Sequence, residues 1–142
     1  MNIQGGENMA EKLSDLFLKA RALLDEYSDD GEMLHEDEVK DMQLKAIPLA
    51  DMVHKELYEY CRLDEEQEEP ITFTDIDDTT EVNYKADQAI VYYIAARLAP
   101  FENKELVTFF ESKYEELKRE CQNKATPVPI EDVYGVGEVV DA

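Results

Sequence analysis

Basic residues are scarce in this chain: 14 lysines and arginines stand against 35 aspartates and glutamates over 142 residues, a net charge of −21. A surface of that sign repels nucleic-acid phosphates and anionic membrane, and it opposes compaction of the chain itself. Free nucleic acid is therefore excluded as a ligand for most of it. Cysteine is almost missing, with only Cys61 and Cys121, which rules out a disulfide framework and gives no sign of an oxidising compartment. No apolar run approaches the roughly 18 residues a membrane-spanning helix needs. The opening MNIQGGENMAEKL has neither the basic start nor the apolar stretch of a secretory signal. Action in a cytoplasm, or in an assembly built there, is the expectation.

Groups that carry chemistry are equally sparse. His35 and His54 are the only histidines and neither sits in an H-E-x-x-H frame, so both read as exposed helix residues and not as metal ligands. The two cysteines end apolar stripes and read as small hydrophobes. DIDDTTE (75–81) has acids at short spacing, but it lacks the glycine and the terminal glutamate of a calcium loop. It reads as a solvated turn with helix-start charge. GVGEVV near the C-terminus is not a dinucleotide fingerprint, because no strand precedes it and no helix follows. Paired carboxylates carry no signal among so many. No catalytic, cofactor or metal site is expected.

What the chain does have is helical periodicity. Apolar content is 44%, ordinary for a globular domain, and the length suits one core. Leu13, Phe17, Ala20, Leu24 and Tyr27 share one stripe of a first helix, which Ser28-Asp29-Asp30-Gly31 should stop. Val39, Met42, Ala46, Leu49, Val53, Leu57 and Tyr60 mark a second, from about Glu36 to Cys61. Pro48 lies inside it and predicts a kink, or two helices meeting end to end. Asn83 is placed to cap a third helix reaching about Ala99, with Ala86, Ala89, Ile90, Tyr93, Ile94 and Leu98 inward. Pro100 ends it. A fourth helix from about Asn103 to Cys121 buries Leu106, Phe110, Leu117 and Cys121. The short elbow makes the third and fourth helices antiparallel neighbours, with Tyr92, Tyr93, Phe109, Phe110 and Tyr114 as core and helix–helix contact. The fold class expected is all-α, a small bundle of about four helices over residues 1–126, in which 1–12 would be disordered or a non-native start. The codons implied by Gly5-Gly6-Glu7-Asn8 suit a ribosome-binding site, which makes Met9 an alternative start.

Two segments break the helical pattern. LDEEQEEPITFTDIDDTTE (63–81) carries nine acids and no base, with a centre that alternates apolar and polar residues. Its charge density predicts a loop without packed structure of its own, ordered only in an assembly. From Pro127 to Ala142 two prolines and two glycines argue against a further helix, so 127–142 reads as an extended arm. Its valines are too many for a tail meant to stay in water. Strand addition to a neighbouring protein and folding back over its own bundle both remain open.

The stretch ADQAIVYYIAARLAPFENKELVTFFESKYEELKREC resembles the C-terminal helical hairpin of phage head–tail connector adaptors, small helical proteins that form a ring beneath the portal of tailed phages. The small-residue and aromatic helix AIVYYIAARLA, the short elbow and the returning FFESKYEELK carry the likeness. The earlier helices and the long loop suit that family too. The resemblance implies subunits packed into a ring, commonly twelve-fold, in the neck of the virion, through whose lumen DNA passes without sequence-specific binding. It implies the portal protein and a head-completion or tail-side neck protein as partners. On that basis Ile130, Val133, Tyr134, Val136, Val139 and Val140 would dock the arm on the portal. Asp64, Glu65, Glu66, Glu68, Glu69, Asp75, Asp77 and Asp78 would face the lumen or the tail side. A conduit for DNA should repel phosphates, which agrees with the charge. No basic cluster is visible to grip an anionic neighbour, so ring contacts would fall to apolar patches or scattered bases. The competing reading of the same charge is a small acidic inhibitor that imitates DNA and occupies a nucleic-acid-binding enzyme.

Overall fold

The computed structural model describes residues 10–26 and 36–124. The expectations for Met9, Tyr27, the 28–31 stop signal, His35 and the 127–142 arm lie outside these residues. The described residues form an all-α bundle of four helices: α1 (Leu13–Glu26), α2 (Glu36–Cys61), α3 (Tyr84–Leu98) and α4 (Lys104–Lys124).

Helix α3 is central and packs against the other three. Its residues Ala86, Ala89, Ile90, Val91, Ile94, Ala95 and Ala96 are buried around most of its circumference, which is why it reads as less amphipathic than a surface helix. Asn83 caps it as the sequence predicts, its Oδ1 accepting from the Ala86 N–H at 3.0 Å. At the elbow the Asn103 N–H donates to the Pro100 carbonyl at 3.0 Å, and Asn103 Oδ1 accepts from the Leu106 N–H at 3.1 Å. One residue thus closes the turn and caps α4. The hairpin is antiparallel: Lys85 Nζ meets Glu120 Oε1 at 2.9 Å at one end, and the Tyr93 and Tyr114 rings lie 4.9 Å apart further along.

The core joins Leu13, Phe17 and Ala20 of α1 to Ala46, Ala50, Val53 and Leu57 of α2, and to Phe110 and Cys121 of α4 around α3. Several sequence expectations need correction. Helix α2 runs unbroken through Pro48 and is not two helices end to end. The missing Pro48 N–H leaves the Leu44 carbonyl without its helical donor, yet Pro48 is exposed and Leu44 is 67% exposed, so solvent can satisfy that group. The buried stripe of α2 keeps the predicted Ala46, Val53 and Leu57 but extends to one side of the predicted one. Ile47, Ala50, His54, Tyr58 and Cys61 are buried, while Val39, Met42, Leu49 and Tyr60 are only partly so. His54 is fully buried, not an exposed helix histidine. Phe109 is 39% exposed and lies at the edge of the aromatic contact, not inside it.

Candidate functional site

The acidic loop between α2 and α3 is packed on its own bundle in the single chain, contrary to the expectation of order only in an assembly. Its apolar anchors are Phe73 and Val82, both buried, with the polar Thr80 buried between them in sequence. The Phe73 N–H donates to Asp51 Oδ1 at 2.9 Å, and its ring lies 4.5 Å from the His54 imidazole. On the α1 side the loop replaces a cap. The Leu13 N–H donates to the Asp78 carbonyl at 2.9 Å and the Ser14 N–H to the Ile76 carbonyl at 2.8 Å. Two of the first-turn donors that a helix leaves unpaired are satisfied this way. The Thr80 N–H returns the contact to the Glu11 carbonyl at 2.8 Å.

Glu81 organises the rest. Its Oε1 accepts from the Ile71 N–H at 3.0 Å and its Oε2 from Gln67 Nε2 at 2.9 Å. Its carbonyl accepts from the Leu63 N–H at 3.0 Å, and its N–H donates to His54 Nε2 at 2.9 Å. The Gln67 carbonyl in turn accepts from the Tyr58 hydroxyl at 2.7 Å and from Arg62 Nη1 at 3.2 Å.

The eight predicted loop acids divide by task. Asp78 Oδ2 accepts from the Thr74 and Asp75 N–H groups at 2.8 and 2.9 Å, and these bonds hold its carboxyl below the usual carboxylate range. Asp75 Oδ1 accepts from the Asp77 N–H, and Asp64 Oδ1 from the Glu66 N–H, at 2.8 and 2.9 Å. These three shape tight turns. Glu65 is exposed and sits 3.9 Å from Arg62. Glu66, Glu68, Glu69 and Asp77 are exposed to solvent. The loop therefore presents its outward carboxylates from a fixed frame. Glu81 and His54, which hold that frame, were missed from the sequence. The pairing of a buried histidine with a residue 27 positions on has no local signature.

Two buried polar groups lie beneath the loop. His54 Nδ1 has no hydrogen-bond partner, and burial pushes the imidazole down to about 4, against the pull of Glu81 and Asp51. Asp87, in the first turn of α3, is 1% exposed and neither carboxylate oxygen has a partner in good geometry. Burial pushes it up to about 8; the Thr80 hydroxyl works the other way, too weakly to offset this.

Among the described residues no three histidine, cysteine or carboxylate side chains are grouped to hold a metal ion, and no helix is long and apolar enough to cross a membrane. Comparison with protein-family models, with curated proteins and with solved structures found no match. The arrangement presents fixed negative charge on a helical scaffold, which suits recognition or exclusion of charged surfaces.

Proposed function

We propose that this chain is a structural virion protein, a head–tail connector adaptor that forms a ring under the portal, conducts DNA and joins the capsid to the tail. The role is structural and not enzymatic. The observation that carries it is the acidic loop: Glu66, Glu68, Glu69 and Asp77 stand outward from turns fixed by Asp64, Asp75, Asp78 and Glu81. A ring lined or capped by such loops repels phosphate and lets a duplex slide, because each cation it omits is one fewer counterion-releasing contact. The elbow between α3 and α4, with Phe101 87% exposed, supplies an apolar point of contact for a neighbour.

The partners under this reading are further copies of the chain, the portal protein and a head-completion or tail-side neck protein. Ile130, Val133, Tyr134, Val136, Val139 and Val140 would lie against the portal by strand addition. The fixed carboxylates also favour the second reading, a DNA-mimicking inhibitor, since a mimic needs its charges held in register.

The mass of the purified protein, alone and mixed with portal, separates the two. A connector gives a defined multimer that joins portal. A chain that stays monomeric with portal, and instead binds a nucleic-acid-processing enzyme in competition with DNA, would overturn the connector reading.

A further inference from the structure

Residues 80–82, the return of the acidic loop into α3, are held from two sides by buried groups whose charge state matters. His54, on α2, can accept the Glu81 N–H at 2.9 Å only while its Nε2 carries no proton. A proton there turns an acceptor into a second donor pointed at a donor. Asp87, on α3, lies behind Thr80, with no hydrogen-bond partner in good geometry for either oxygen. Thr80 Oγ1 accepts from the Glu11 N–H at 3.2 Å, which leaves its hydroxyl proton as the one donor facing the Asp87 carboxyl. An ionised Asp87 would place a charge in the core at this seam with no more than the poorly aligned Thr80 hydroxyl to stabilise it, which is costly.

We propose that residues 80–82 form a proton-operated latch, which seats the acidic loop while His54 is neutral and Asp87 is protonated and releases it when either becomes charged. The surrounding charges agree with this assignment. Around Asp87, Glu11 from the segment before α1 raises the cost of ionisation, as does the Cys61 thiol of α2, and Lys19 of α1 lowers it. The Lys19 ammonium is turned to Glu11 Oε2 at 3.3 Å, so it compensates a carboxylate at Asp87 only in part. Around His54, Glu81 of the loop and Asp51 of α2 favour the charged ring, while Lys55 of α2 and burial oppose it. The rings of Phe73 and Tyr58 complete its walls. Release would also uncap the first turn of α1, because Leu13 and Ser14 donate to loop carbonyls, while Leu16, Phe17 and Ala20 keep the rest of α1 in the core. The hairpin of α3 and α4 has its own contacts and would stay folded.

Amide exchange on the full chain, corrected for intrinsic rates, tests this at about pH 6.5 and about pH 9. The amides of Leu13, Ser14, Thr80 and Glu81 should lose protection at the higher pH, by at most about thirtyfold, the limit that one ionisation near 8 sets between these two pH values. Those of Ile94 and Phe110 should keep theirs. Asp87→Asn should remove the alkaline loss. His54→Gln, which keeps an acceptor, should leave it and remove the corresponding loss on acidification to about pH 4. Carboxyl carbon NMR of the unsubstituted chain serves if Asp87→Asn does not fold: the Asp87 signal should titrate well above the surface acids, together with the Glu81 amide shift. Three results would overturn the latch. These are an Asp87 carboxyl titrating with the surface acids, protection unchanged across the range, or loop and hairpin amides opening together.

Discussion

Phe110 is fully buried between α3 and α4, with the Tyr92 ring 6.2 Å away. Replacing it by alanine should cost roughly 3–5 kcal/mol, read by chemical denaturation, because the space cannot refill from a helix pair fixed at both ends. A second residue-scale outcome concerns pH. The folded Asp87 carboxyl, at about 8, binds a proton that the unfolded chain gives up near 3.8. Its contribution is therefore complete below 3.8 and is lost as pH rises through 8. His54 runs the other way: lowered from 6.5 to about 4, its contribution is present above 6.5 and lost as pH falls through 4. Between about 4 and 6.5 the two slopes oppose each other. From about 6.5 to 8 Asp87 acts alone, and stability should fall by about 1.4 kcal/mol per pH unit. Denaturation midpoints across that range should show the fall in the parent chain and a flat line in Asp87→Asn.

At the scale of elements, the loop depends on its apolar anchor more than on its charge. Phe73→Ala should leave helicity by circular dichroism nearly unchanged while raising proteolytic cutting between residues 64 and 79, because the ring packed on His54 is what fixes the centre of the loop. The four helices were legible from their stripes, and the Asn83 cap and the elbow at Pro100 from single residues. The loop was misread because composition weighs nine acids and cannot see that three of them terminate backbone turns and a fourth, Glu81, bonds to four residues at once. The face of α2 was misread for a related reason. His54 counts as polar in any periodic pattern, so the true stripe Ala50, Val53, His54, Leu57, Tyr58, Cys61 looks broken in the middle. Buried polar residues are where tertiary contacts overrule pattern.

For the whole molecule, the charge of −21 sets a further outcome: moderate salt should raise the unfolding temperature, by screening repulsion between carboxylates that few bases offset. Deleting residues 127–142 should leave helicity and thermal stability nearly unchanged, since the core joins residues 13–121, while abolishing attachment to portal in a pull-down. A truncated chain that melts much earlier would assign the arm to its own bundle, and one that still joins portal would remove the docking role. The central position of α3 also bears on how the chain is made. A ribosome delivers α1 and α2 first, yet the helix both pack against, and the loop carbonyls that finish the first turn of α1, are encoded later. The nascent chain must therefore wait with Phe17, Val53 and Leu57 uncovered until residues 84–98 leave the exit tunnel. Its excess of like charge, a burden in the finished fold, keeps neighbouring nascent chains apart during that interval.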